Sequence, residues 1–349
     1  MAIDDKYMNV LTMLLDRLSL QELYMCVAEI PGPLLEMRSG TLPLRVSRRE
    51  LVSAIVKHYN LDKNILRNCR RSIANRYRLN EIVRNYRKLA ATSDSRKKLT
   101  RSYLRGVMHK LSGRSVYYNR ANKLNEVDLS LDGHRFRLIY PDELVSIGLI
   151  SEIFIDKTYQ FDMNVDYIYD LGANIGLSAV YFNVKNPGTK VVCVEPMQEN
   201  FDILTQNINA NGFDVITVNG AVGRERGQTT IYYGDQSHAL PSLYTKQVNS
   251  RRIELYSLSD IVSNEGTYGL KIDIEGGEEA FGSFGDIIAN AEFIVGELHY
   301  SKDAAKNARV DAFYDIVKKN FEIEEGHPTL YFIGDDIELC YCYTAQKRQ

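Results

Sequence analysis

The chain has 349 residues, enough for two domains, and its 44% hydrophobic and 25% charged content is that of a folded globular protein. A net charge of −2 conceals a split: residues 1–125 carry 25 Lys and Arg against 10 Asp and Glu, and the remainder carries 18 against 35. No run of about 18 apolar residues marks a transmembrane helix, and the acidic, polar start at Met1 is unlike a signal peptide, so a cytoplasmic location is expected.

The first part reads as helical. Met8–Leu18 has helical apolar spacing, Ser19–Glu22 and Ser47–Glu50 are capping boxes, and Pro31-Gly-Pro33 interrupts between them. Further helices are predicted to turn Ile82, Tyr86 and Leu89, then Leu104, Met108 and Leu111, inward. The expected division is a basic helical domain at 1–115, a linker at 116–125 and an α/β domain at 126–349. His58, His109 and His134 lack ligand-like neighbours and read as structural or surface residues. The five cysteines, Cys26, Cys69, Cys193, Cys340 and Cys342, are odd in number and scattered. Cys340 and Cys342 are expected to send their thiols to opposite faces of a strand, leaving neither a zinc site nor a disulfide framework.

From Glu126 the pattern changes. Alternating residues around Asp132-Gly133 predict a β-hairpin. Strands then alternate with helices: Tyr167–Asp170, Lys190–Val194, Val215–Val218, Leu270–Ile274 and Phe293–Leu298, with helices from Leu177 and over Glu199–Asn209. Such alternation implies a mainly parallel sheet covered by helices, with ligands bound beyond the carboxyl ends of the strands.

The motifs sit at those ends. Asp170-Leu-Gly-Ala-Asn-Ile-Gly176 follows the first strand, where glycines allow a tight turn and close backbone approach. Val194-Glu195-Pro196 ends the second, about twenty residues later, where a carboxylate can accept from ribose hydroxyls. The spacing is not that of dinucleotide folds. In Lys271-Ile-Asp-Ile-Glu275, alternation predicts that Lys271, Asp273 and Glu275 share one strand face, and Glu297 and His299 follow the same rule.

These motifs resemble the FkbM-type methyltransferases of the class I S-adenosylmethionine-binding fold. The likeness covers about residues 126–345 and rests on Asp170–Gly176, Glu195-Pro-Met-Gln-Glu-Asn200, Lys271–Glu278 and Glu297-Leu-His299, with Asn219–Gly223 as a further match. Gly277 departs from the alanine common in the family. The resemblance implies a mainly parallel seven-stranded sheet and S-adenosylmethionine as cofactor. It implies that Gly172, Ala173 and Gly176 line the methionine part, with Asp170 or Asn174 near its amino group. Glu195, followed by Pro196, would hold the ribose, and Asn219 and Ala221 would face the adenine.

For chemistry, Asp273 and His299 are the candidate bases, with Glu275 and Lys271 beside them. O-methylation of a sugar or glycan hydroxyl is expected by analogy with the family. RNA methylation and a nucleoside-binding module without catalysis are the alternatives. A divalent metal held by Asp273, Glu275 and Glu297 would suit oxygen ligands, but no metal ligand is assigned. The basic front end, with tyrosines among its cations from Arg67 onward, suits nucleic acid. It equally suits docking on the acidic domain, a homo-oligomer interface, or an anionic lipid or glycan.

Overall fold

A computed structural model describes residues 79–348, apart from 112–122, 162, 235–236, 243–248, 264, 301–303, 327–328 and 334–335. The Met8–Leu18 helix, both capping boxes, Cys26, His58, Cys69 and the basic run from Arg67 to Arg78 lie outside the described residues, as does the side chain of His109.

Helix α1 (Leu79–Leu89) buries Ile82, Tyr86 and Leu89, the face its spacing predicts. The Tyr86 hydroxyl donates to the Ile147 carbonyl at 3.2 Å. Helix α2 (Ser93–Leu111) starts at Thr92, whose side chain accepts from the Ser95 N–H. Its buried face is Ser95, Leu99, Ser102 and Tyr103, and Leu104 is 41% exposed. Leu104 therefore does not face inward as expected, and the side chains of Met108 and Leu111 lie outside the described residues. Two serines on the buried face hid it from a count of apolar residues. Ser95 and Ser102 are satisfied by the Asp128 N–H and the Asp142 carboxylate.

Strands β1 (Leu124–Leu131) and β2 (His134–Pro141) pair with Leu131 opposite His134. Asp132 and Gly133 form the two-residue turn, both with positive φ, as a type I′ turn needs. The exposed His134 follows that turn. Arg105 of α2 forms an ion pair with Asp142, whose side chain is 1% exposed, so the described basic helices lie against this hairpin. Helix α3 (Leu144–Ser151) runs on into a π-helical turn over Glu152–Asp156, ended by Lys157 in the left-handed region.

The main sheet follows. Its elements are β3 (Tyr167–Leu171), α4 (Leu177–Lys185), β4 (Lys190–Glu195), α5 (Gln198–Asn211) and β5 (Val215–Asn219). Next come β6 (Ala221–Gly223), β7 (Gly227–Gly234), β8 (Ser237–Ser242), β9 (Asn249–Ser257) and α6 (Leu258–Ile261). The chain continues through β10 (Tyr268–Ile272), a 3₁₀ turn at Gly277–Ser283, α7 (Gly285–Asn290) and β11 (Phe293–Tyr300). It closes with α8 (Ala304–Asn320), β12 (Phe321–Glu325), β13 (Thr329–Ile333) and β14 (Asp336–Lys347). The sheet order is β12-β14-β11-β10-β3-β4-β5, with β13 added beside β14. Pairs from β11 through β5 are parallel, and β14 runs antiparallel to both β11 and β12.

Strands β3, β4, β10 and β11 are almost wholly buried, which is why they read as apolar runs rather than as alternations. One core packs Phe154, Phe161, Phe182 and Phe293, and a second packs Tyr169, Phe281, Phe313 and Phe321. The chain passes outward from β3 to β5, then returns to place β10 on the other side of β3. Strand order reverses between β3 and β10, the place where open α/β sheets bind ligands. Strands β6, β9, β7 and β8 form a separate small sheet. No helix among the described residues is long and apolar enough to cross a membrane.

Candidate functional site

The loop after β3 is shaped by the approach of two backbones. A Cβ on Gly172 would lie 1.8 Å from the Asp273 carbonyl oxygen, and its φ is 81°. The Gly172 and Ala173 N–H groups both donate to the Val194 carbonyl. Asn174 takes a left-handed backbone, and its N–H donates to Glu195 Oε2 at 2.9 Å. Asp170 lies beneath, fully buried; it accepts from the Ser178 hydroxyl at 2.5 Å and faces Lys271 Nζ at 3.2 Å.

Glu195, at the end of β4, is buried. Its Oε1 accepts from the Met197 N–H and the Asn200 amide, in addition to the Asn174 bond on Oε2. Burial pushes its pKa up to about 7 against the pull of those donors. At the end of β5, the Asn219 amide donates to the Glu195 carbonyl.

Strand β10 stops at Ile272, so Asp273 and Glu275 are not two positions of one strand, and the alternation argument for their shared face is corrected. Asp273 reaches the site just past the strand end, and Glu275 does so from a turn with φ 53°. Lys271, still on β10, is 2% exposed. Its Nζ donates to the Gly172 carbonyl at 2.5 Å and lies 3.5 Å from Asp273 Oδ2. Burial works against its charge, but the Asp170 and Asp273 carboxylates prevail and hold its pKa above the usual lysine value. The Tyr159 hydroxyl donates to Asp273 at 3.0 Å.

Beside this group, β11 presents Glu297 and His299 on one face, as alternation requires. His299 Nδ1 meets Glu278 Oε1 at 3.1 Å, and Nε2 lies 3.6 Å from both Glu275 and Glu297. Burial opposes protonation of His299, yet the surrounding carboxylates raise its pKa well above the ordinary value. Glu297 is pushed up to about 8, first by burial and then by Asp273. The expectation for Cys340 and Cys342 is corrected here. Residues two apart on a strand share a face, and both thiols donate to Glu297, at 2.9 and 3.3 Å.

One cleft is lined by Gly172, Asn174, Glu195, Pro196, Ala221, Asp273 and Glu275 among the residues singled out from the sequence. Asp170, Ala173, Gly176, Asn219, Lys271 and His299 do not line it. Gly176 caps α4, and a Cβ there would meet Leu204. Asn200, Gly220, Val222, Ile231 and Ile274 also line the cleft and were not picked out. Asn200 closes the quoted Glu195–Asn200 motif and was within reach. Tyr159, far along the chain from Asp273, and Glu152, pushed up to about 8 by burial and by Glu297, carry no local signal.

Residues 170–321 match the family model described as the methyltransferase FkbM domain. The chain is 25% identical over 155 residues to "Methyltransferase 1" of Beauveria bassiana, covering 37% of this chain and 62% of that protein. It is 26% identical over 265 residues to the "AMB antimetabolite synthetase AmbE" of Pseudomonas aeruginosa, covering 62% and 12%. Among solved structures, methyltransferase FkbM from Methylobacillus flagellatus superposes with a TM-score of 0.37 at 14% identity, over 76% of this chain and 59% of that one. The chain thus spans less than two thirds of the length of each of these relatives. Residues 170–321, which run from the end of β3 to the start of β12 in this α/β fold, are thus the part of the chain that matches the methyltransferase FkbM domain.

Proposed function

We propose that the chain is an S-adenosylmethionine-dependent O-methyltransferase acting on a hydroxyl of a sugar or glycan. The observation that carries the reading is the convergence of Gly172, Glu195, Asp273 and Glu275 on one cleft at the sheet's switch point. The cleft suits the cofactor. Gly172 and Gly220 leave no Cβ in the way of close packing, and a Cβ at either would overlap backbone. A carboxylate has about four acceptor positions, and three on Glu195 are used, leaving Oε2 able to take a ribose hydroxyl. Asp273 and Glu275 bring carboxyl oxygens to the wall of the same cleft. Bound S-adenosylmethionine supplies an electrophilic methyl group.

Asp273 is the proposed base. It lines the cleft and is 22% exposed, and Tyr159 and Lys271 orient it from behind. It would take the proton of an acceptor hydroxyl held against it. Lys271 holds both Asp273 and the Gly172 carbonyl, so it is a positioning residue. His299, behind Glu275, is assigned a positioning role as well.

Calorimetric titration with S-adenosylhomocysteine tests the cofactor. Binding is expected, weakened about 10–100-fold by Glu195→Ala, which removes a hydrogen bond to a charged group. Transfer of labelled methyl to a glycan panel, with RNA alongside, tests the acceptor. Absence of S-adenosylhomocysteine binding would sink the whole reading, and methylated RNA with unlabelled glycans would replace the acceptor.

A further inference from the structure

We propose that Glu297, His299 and Cys340 form a binding site for a divalent transition-metal ion, with zinc as its expected occupant. One ligand atom from each of the three lies within 4.8 Å of the others, and His299 belongs to a second such group with Asp273 and Glu275. The frame is rigid. Glu297 and His299 come from β11, Cys340 comes from the adjacent β14, and the register pairs His299 directly with Cys340.

Glu278 fixes the imidazole. Its buried Oε1 accepts from the Gly276 N–H, and so meets His299 Nδ1 as an acceptor. The Nδ1 hydrogen therefore points at Glu278, and Nε2 is left facing Glu297 and Glu275. This is the carboxylate–histidine arrangement that orients metal-bound histidines. Nε2 lies 3.6 Å from each of those carboxylates, beyond hydrogen-bonding reach. Ligands at ordinary zinc bond lengths in a tetrahedron are separated by roughly 3.3–3.6 Å. The spacing of Nε2 from the two carboxylates is therefore that of ligands around one ion.

Cys340 makes the donor set selective, because nitrogen, oxygen and sulfur together suit zinc and not magnesium or calcium. Its S–H now donates to Glu297 at 2.9 Å. On metal binding the Cys340 S–H and the His299 Nε2–H bonds break, both protons leave to solvent, sulfur–metal and nitrogen–metal bonds form and the contact of Cys340 with Glu297 opens. Glu275, 3.6 Å from His299 Nε2, or a water would complete the ligand set. The inference rests on donor geometry and is independent of the methyl-transfer reading.

The test uses the full chain, stripped with a chelator and then dialysed against Zn²⁺ or Co²⁺. One zinc per chain by mass spectrometry of the metal is expected, together with a near-ultraviolet thiolate-to-cobalt band. Cys340→Ser should abolish the band, and Cys193→Ser, a buried thiol elsewhere in the sheet, should keep it. Glu278→Gln should weaken zinc binding about 10–100-fold. Circular dichroism checks that each variant folds, and the wild-type cobalt spectrum decides the matter if Cys340→Ser does not. A wild-type chain without stoichiometric zinc or without the thiolate band overturns the proposal, as does a band that survives Cys340→Ser. Protons alone would then hold the cluster together.

Discussion

Lys271→Met isolates the charge at the centre of the sheet. Methionine keeps the length of the stem and removes the ammonium, leaving Asp170 with no cation and no solvent. At 3.2 Å and an effective dielectric constant near 20, the Lys271–Asp170 attraction is about 5 kcal/mol. Breaking a buried pair on one side costs roughly 3–5 kcal/mol because the remaining charge stays buried. The variant also loses the bond to the Gly172 carbonyl, so a stability loss near the upper end of that range is expected. Urea unfolding with linear extrapolation measures it. The double variant Asp170→Asn/Lys271→Met should recover more than half of the loss, because the amide can still accept from Ser178. Asp273→Asn/Lys271→Met should recover little, since Asp273 reaches solvent. If Lys271→Met costs less than about 1 kcal/mol, or Asp170→Asn fails to rescue it, the buried pair does not have the energetic role assigned here.

Other perturbations test other parts of the site and frame. Gly172→Ala drives a Cβ into the Asp273 carbonyl at a left-handed φ; backbone strain alone costs about 1–2 kcal/mol, and S-adenosylhomocysteine binding should vanish in calorimetry. Asp273→Ala should abolish methyl transfer in a labelled-methyl assay and leave S-adenosylhomocysteine affinity within about threefold, a change under about 1 kcal/mol. Burial raises the Glu143 pKa to about 7, so the folded state binds this proton more tightly than the unfolded state. Its contribution is full below the ordinary carboxyl range and is lost as pH rises toward about 7. Glu143→Gln should flatten that part of a urea midpoint-against-pH profile. Arg105→Met leaves Asp142 buried with Ser102 for company. A loss of about 1–2 kcal/mol is expected in urea unfolding, below the figure for a fully buried pair because Arg105 is partly exposed.

What the sequence revealed followed the range of its signals. The hairpin at Asp132-Gly133 and the loops after β3 and β4 are local. A turn residue or glycine there answers to a backbone need a few residues away, and the motif carries its own structure. The face of β11 bearing Glu297 and His299 follows from strand period alone. Asp273 and Glu275 line one cleft, but not through strand alternation, because β10 ends at Ile272 and a turn does the rest. Leu104 of α2 is exposed where its spacing predicts burial, because Ser95 and Ser102 take the buried face and their partners, Asp128 and Asp142, are distant in sequence. Tyr159 and Cys340 were out of reach for a similar reason. Each meets its carboxylate only after the fold has brought together segments that are far apart in the chain.

The position of β14 has a consequence for synthesis. It follows β12 in the chain yet lies between β11 and β12 in the sheet. On a translating ribosome, β3, β4, β5, β10 and β11 can assemble as they emerge, each finding an edge already made. Strand β12 has no place in the sheet until β14 arrives to bridge it to β11. A nascent chain halted between the two would hold an open edge at β11, with Glu297 and His299 along it and no Cys340 to close over them. Such an edge invites foreign strands, so ribosome-bound chains of that length are the ones that should seek a chaperone.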